Sequence, residues 1–173
     1  MPDARPGTLP SADPWRRFMS AAYEFVVLFG LLVFFGYGFS ALTQFHGVPG
    51  PMRWGFQGFL FLVLAAYFVW FWSEGRRTLP MKTMSLLIVT QDGGAPSRAR
   101  ALLRYLWAWA SLLLPVAAAW YGRTGWPLLM LALPFGWTLF DRDRRALYDV
   151  MAGTRLVVTP HAPAGPGRAR PPG

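Results

Sequence analysis

Residues 21–42 read AAYEFVVLFGLLVFFGYGFSAL, and Glu24 is the only charged side chain among them. At about 1.5 Å per residue, a helix of this length crosses a hydrocarbon core of about 30 Å with little to spare. A cleaved signal peptide is the competing reading, but its apolar region is only about 7–15 residues long. The stretch before this run also carries Asp3 and Asp13 among its arginines, which is atypical of a leader. A membrane-spanning helix is the expectation.

Three further apolar runs follow. Residues 56–72 are uncharged, with Trp54 below them and Trp70 and Trp72 at their end, as aromatic anchors at two interfaces would be. Residues 101–121 hold Arg104 near their start and Pro115 inside, where the missing N–H predicts a kink. Residues 126–140 are short and interrupted by Pro134-Phe135-Gly136. This run spans with a break or is re-entrant, and spanning is the expectation. Gly122-Arg123-Thr124-Gly125 predicts a tight turn between antiparallel helices.

Composition agrees. Hydrophobic residues make up 54% and charged ones 14%, against about 25% charged in soluble domains. With 9 Trp and 14 Phe, a chain this small has more apolar surface than a soluble core can hide. The net charge of +9 would suggest nucleic acid in a soluble protein. Here the basic residues gather between apolar runs, which suits loops facing anionic lipid; the bilayer is the expected partner and nucleic acid is not. The absence of cysteine excludes disulfides, thiolate metal sites and a cysteine nucleophile.

Orientation follows from the basic residues. Of the 17 Lys and Arg, only Arg53 and Arg123 fall in the first and third connections. The other fifteen lie in the N-terminal segment, at residues 73–104 and in the C-terminal segment. Both ends and the middle loop are therefore expected in the cytoplasm, which requires an even number of crossings. The expected fold class is an all-α membrane protein, a four-span transmembrane helical bundle with a small cytoplasmic cap. It comprises residues 15–159, between disordered tails at 1–14 and 160–173 that are rich in Pro, Gly, Ala and Ser.

The cap is read from two β-prone runs, Met84-Ser85-Leu86-Leu87-Ile88-Val89-Thr90 before Asp92-Gly93, and residues 154–159 after Ala152-Gly153. They are expected to pair as a small sheet. The alternative is an interfacial helix over residues 81–89.

Few charges enter the apolar runs. Glu24 lies in the first span, and burying a carboxylate in lipid costs several kcal/mol, on the order of +3 or more. It must therefore face protein, water or a partner. Arg17, seven residues earlier, shares its helix face but lies about 10 Å away along the axis. Glu24 is read either as an ion or proton site or as an acid paired with an arginine of another helix. Asp141 and Asp143 have metal-ligand spacing, but Arg142, Arg144 and Arg145 interleave with them, so a charge network is the stronger reading. Asp149 is placed to cap its own turn or to bridge to Arg17 or Arg104. His46 stands alone in an outer loop, and Gly36 and Ser40 form a small-xxx-small pair. No phosphate loop, serine nucleophile motif or His pair is present; an enzyme and a cofactor are not expected.

Arg16-Arg17 before an apolar helix, an acid seven residues on, Thr78-Leu79-Pro80-Met81-Lys82, Arg98-Ala99-Arg100-Ala101-Leu102-Leu103-Arg104-Tyr105 and Leu147-Tyr148-Asp149-Val150-Met151-Ala152-Gly153-Thr154-Arg155 together resemble the RDD family of bacterial membrane proteins, named for one arginine and two aspartates. The resemblance covers residues 15–158. It implies that the arginine is Arg17 (Arg16 being the alternative) and the second aspartate Asp149. The first aspartate falls on Glu24, a departure that keeps the charge and adds a methylene. Some members of the family are linked to sodium/proton exchange, and the family's location implies a bacterial cytoplasmic membrane. Three functions stay open: ion or small-solute transport by a homo-oligomer through Arg17, Glu24, Arg104 and Asp149; a non-catalytic assembly factor docking another protein through its cap; and, least favoured, a metal enzyme at Asp141 and Asp143.

Overall fold

Pro14 starts the first helix, where its missing N–H breaks no helical bond and its fixed φ suits the first turn. In the computed structural model, which describes residues 10–123, 125–132, 137 and 145–159, helix α1 runs Pro14–Thr43 and ends at Gln44 in the left-handed region. Helix α2 is Pro51–Trp72, again with proline in its first turn. A short helix α3, Leu79–Thr83, leads into strand β1, Leu86–Thr90. Helix α4 spans Arg98–Gly122 and continues through Pro115, with the Ser97 hydroxyl accepting from the Arg100 N–H at its start. A 3-10 helix covers Trp126–Ala132, and helix α5, Leu147–Met151, precedes strand β2, Thr154–Val158.

Three helices, α1, α2 and α4, are long and apolar enough to cross a membrane. Each extends beyond its apolar run: α2 starts at Pro51 rather than at 56, and α4 starts at Arg98 rather than at 101. Apolarity marks the hydrocarbon core, whereas backbone hydrogen bonding carries a helix on through the headgroup layer. In the fourth apolar run the expected α-helix is replaced, over Trp126–Ala132, by a 3-10 helix packed on α4. Residues 133–136 and 138–144, with Asp141, Arg142, Asp143 and Arg144, and the tail at 160–173 lie outside the described residues.

Helix α2 packs against both α1 and α4. Against α1 the seam is aromatic: Phe39 meets Phe56 and Phe59 at ring separations of 5.4 and 5.2 Å. Gly36 makes room there, since a Cβ on it would already touch the Phe56 ring at 3.5 Å. Against α4, buried Tyr105 packs on Phe61 and donates its hydroxyl to the Phe61 carbonyl at 2.9 Å. Outward-facing side chains such as Phe34, at 73% exposed, and Leu42, at 88%, stand bare on α1. So much exposed apolar surface needs a hydrocarbon surrounding or a partner to cover it.

The sheet forms as expected. β1 and β2 are antiparallel, with Leu86 opposite Val158 and Thr90 opposite Thr154. The turn after β1 is closed by the Gly93 N–H donating to the Thr90 carbonyl, and Gly93 has a φ of +82° that suits glycine. Of the interfacial-helix alternative, only Met81–Thr83 is helical, inside α3. The other edge of β2 is also occupied. Ala12 N–H donates to the Leu156 carbonyl at 2.9 Å and Val158 N–H to the Pro10 carbonyl at 3.0 Å. Residues 10–13, which composition assigns to the N-terminal tail, thus belong to the cap. Ala12 is fully buried beside Met81, Leu86, Ile88 and Leu156.

Candidate functional site

The start of α1, the end of α2 and the start of α4 meet beneath the sheet. Asp149, at the third position of α5, is fully buried there. Its carboxylate also accepts from the backbone N–H of Ala146 at 3.4 Å, which holds the first turn of this short helix. Arg17 of α1 donates from Nη1 to Asp149 Oδ2 at 2.9 Å, and Arg104 of α4 brings Nη2 to 2.8 Å from Oδ1. The Arg104 contact is an ion pair by distance, with its N–H directed off the oxygen: neither Asp149 Oδ1 nor Arg104 Nε has a hydrogen-bond partner among the described residues.

Each guanidinium has further support. Arg17 donates to the carbonyls of Ala12 and Leu156 at 3.3 and 3.4 Å, so the N-terminal strand and β2 both rest on it. Arg104 reaches the Thr154 hydroxyl at 3.5 Å and lies over the rings of Trp72, at 4.6 Å, and Tyr148, at 5.3 Å. The Tyr148 hydroxyl is pushed above its ordinary pKa, first by burial and then by the charge of Asp149, with Arg104 and Arg17 opposing. One carboxylate therefore ties the cap to two membrane helices. Arg16, the alternative arginine, is exposed and donates to the Met84 carbonyl at 3.4 Å.

Glu24 is engaged elsewhere. It accepts from the Tyr67 hydroxyl of α2 and the Thr78 hydroxyl, both at 2.6 Å. Neither of these partners is an arginine; Arg142 and Arg144, which follow the fourth apolar run, lie outside the described residues. The physical reason is reach: Glu24 meets what α2 and the loop after it present, and those are hydroxyls. Thr78 is fully buried and also caps α3, accepting from the Met81 N–H at 3.4 Å. Tyr67 and Thr78 escape sequence reasoning. Tyr67 looks like one more aromatic in an apolar run, and only the Thr-Leu-Pro signature of a helix start marks Thr78.

Arg17, Glu24 and Arg104 line one cavity of about 500 Å³. Its side walls are α1, through Phe25 and Leu28, and α4, through Ala108 and Leu112; the end of α2 and the cap close it. Outside it, Glu74 links the exit of α2 to the start of α4 by accepting from Arg98 at 2.7 Å and pairing with Arg76. The Arg98 hydrogen bond, followed by the two arginine charges, holds this exposed carboxyl below its ordinary pKa. Its contribution is present above the unfolded value and lost as pH falls through the folded one, and salt screens it. His46 is exposed, and among the described residues no group of three His, Cys, Asp or Glu is placed to hold a metal.

The RDD family model matches residues 11–153. The chain belongs to the RDD family. The match starts at Ser11, inside the extended segment on β2, and ends at Gly153, just after α5. It thus takes in both arginines and Asp149. An RDD chain with three long apolar helices is a membrane protein. No curated protein and no solved structure matches it.

Proposed function

We propose that this RDD protein moves an ion across the membrane, with Glu24 as the exchanging carboxylate. Arg17, Arg104 and Asp149 set the field around it. One observation carries the reading: a cavity-lining carboxylate whose two oxygens meet only neutral hydroxyl donors among the described residues. A carboxylate held by neutral hydroxyls keeps a negative charge that no fixed cation balances among the described residues, and a mobile ion can balance it. Tyr and Thr hydroxyls both donate and accept, so when Glu24 takes a proton one of them turns to accept it. The same hydroxyls can stay in place while a cation replaces the proton. Because Thr78 also caps α3, the state of Glu24 is felt in the cap.

The proposal includes a fourth crossing, both termini in the cytoplasm of a bacterial inner membrane, no catalytic chemistry and a homo-oligomer. α4 is 25 residues long, about 37 Å at the usual rise. The chain leaves its far end at Gly122 yet begins α5 at Leu147, beside Arg104 near its start. This separation supports the proposed fourth crossing. A few spans provide little wall for a pathway in one chain, which favours several copies.

The test is cation-driven proton flux in proteoliposomes. Glu24→Gln is expected to reduce flux to background while the protein still inserts and elutes as a single species. Wild-type flux from that variant would remove the reading. The burial of Asp149 favours a second one: an acid sealed beneath the cap suits a non-catalytic platform that docks another membrane protein. That version predicts a stoichiometric partner that is lost when Asp149 is changed, in a chain showing no flux.

A further inference from the structure

The cavity under the cap combines features that also suit a bound anion. Two guanidinia, Arg17 and Arg104, share the single buried carboxylate of Asp149. The Arg104 side chain is only 6% exposed, and its Nε has no hydrogen-bond partner among the described residues. Asp149 balances only one of the two guanidinium charges, and an anionic acceptor in the cavity would pair with the arginines that line it. The remaining walls are mainly apolar, a poor home for the water that would otherwise serve. At about 500 Å³ the cavity lies within the usual range for bound small molecules, roughly 300–1,000 Å³. It also opens sideways. Phe25 lines it yet is 71% exposed, and Leu112 lines it and is 48% exposed, both on helices whose outer faces meet lipid.

We propose that this cavity binds one anionic phospholipid. Its phosphate sits on Arg104 and Arg17, and its acyl chains leave past Phe25, Leu28 and Leu112 into the bilayer. The ligand chemistry is an acidic headgroup joined to apolar chains: the guanidinium forks match phosphate oxygens, and the gap between α1 and α4 admits the tail. Glu24 lies on the same α1 wall, two helical turns beyond Arg17, with both oxygens held by hydroxyls, and it is not the headgroup's partner. The site goes beyond the exchange reading and stands without it.

The experiment is native mass spectrometry of the full chain in mild detergent, after adding phosphatidylglycerol, phosphatidylcholine or inorganic phosphate. One phosphatidylglycerol per chain is expected, retained roughly tenfold better than phosphatidylcholine, which has the same phosphate but brings a quaternary ammonium cation against the two guanidinia. Inorganic phosphate should not displace it. Ala108→Phe fills the cavity without touching an ion pair and should abolish retention while heat resistance is preserved. Arg104→Lys keeps the charge, loses the fork and should weaken retention. Glu24→Gln, which ends flux in the exchange reading, should retain the lipid as well as wild type or better. Equal retention of the two lipids, displacement by inorganic phosphate, full retention in Ala108→Phe, or loss in a folded Glu24→Gln would each overturn the proposal.

Discussion

Asp149 is the side chain on which the cap hangs. Taking a carboxylate and two guanidinia out of water costs several kcal/mol per ion, on the order of what their mutual attraction returns. The cluster therefore adds little net stability, but removing one member leaves the others buried and uncompensated. Asp149→Asn keeps the shape and removes the charge. It is expected to destabilise the protein by about 3–5 kcal/mol, seen as early loss of the monodisperse peak after heating in detergent. An unchanged heating profile would mean that the arginines find other acceptors. The participants are visible in the sequence: Arg17 and Arg104 are charges at the edges of apolar runs, and Asp149, in a turn after the fourth run, is positioned to reach either arginine. That it reaches both is not visible there. Nor are the hydroxyl partners of Glu24, because a tyrosine in an apolar helix carries no mark of the residue it will face.

Among the elements, β2 sits in the middle of the cap, with β1 on one edge and residues 10–12 on the other. The β1–β2 pair is legible from β-branched runs and an Asp-Gly turn. The third partner is not, since Ser11-Ala12-Asp13-Pro14 has the composition of a tail. It becomes ordered because β2 offers it free backbone groups and because Ala12 fits the space over Met81 and Leu156. The fit is tight, with Ala12 fully buried. Ala12→Phe should then overpack the cap at a cost of about 1–3 kcal/mol, lowering the temperature at which the cap yields to protease in membranes. Equal protease resistance would show that this strand adds nothing to the cap.

The whole molecule has two unlike ends. α1, α2 and α4 bring Arg17, Trp72 and Arg104 to one of them, and the cap gathers there. The fifteen basic residues assigned to the cytoplasm include those at that same end. Reporter fusions test the proposed orientation. Green fluorescent protein after Gly173 should fluoresce, and alkaline phosphatase inserted at Gly47 should be active. Active phosphatase at Gly173 would contradict the fourth crossing or invert the protein.

By itself the sequence determined three long apolar helices that suit a membrane, the two cap strands and which charges lie near them. These properties depend on short windows: transfer of apolar side chains into hydrocarbon, backbone preferences and turn chemistry all act over a few neighbours. The tertiary structure alone decided which charges meet. Arg17 and Asp149 are separated by 132 positions, and Glu24 and Thr78 by 54. Packing of α2 between its neighbours sets those distances, and no local window contains it. The same packing opens the cavity between α1 and α4, where guanidinium, carboxylate and lipid-facing walls come within reach of one another.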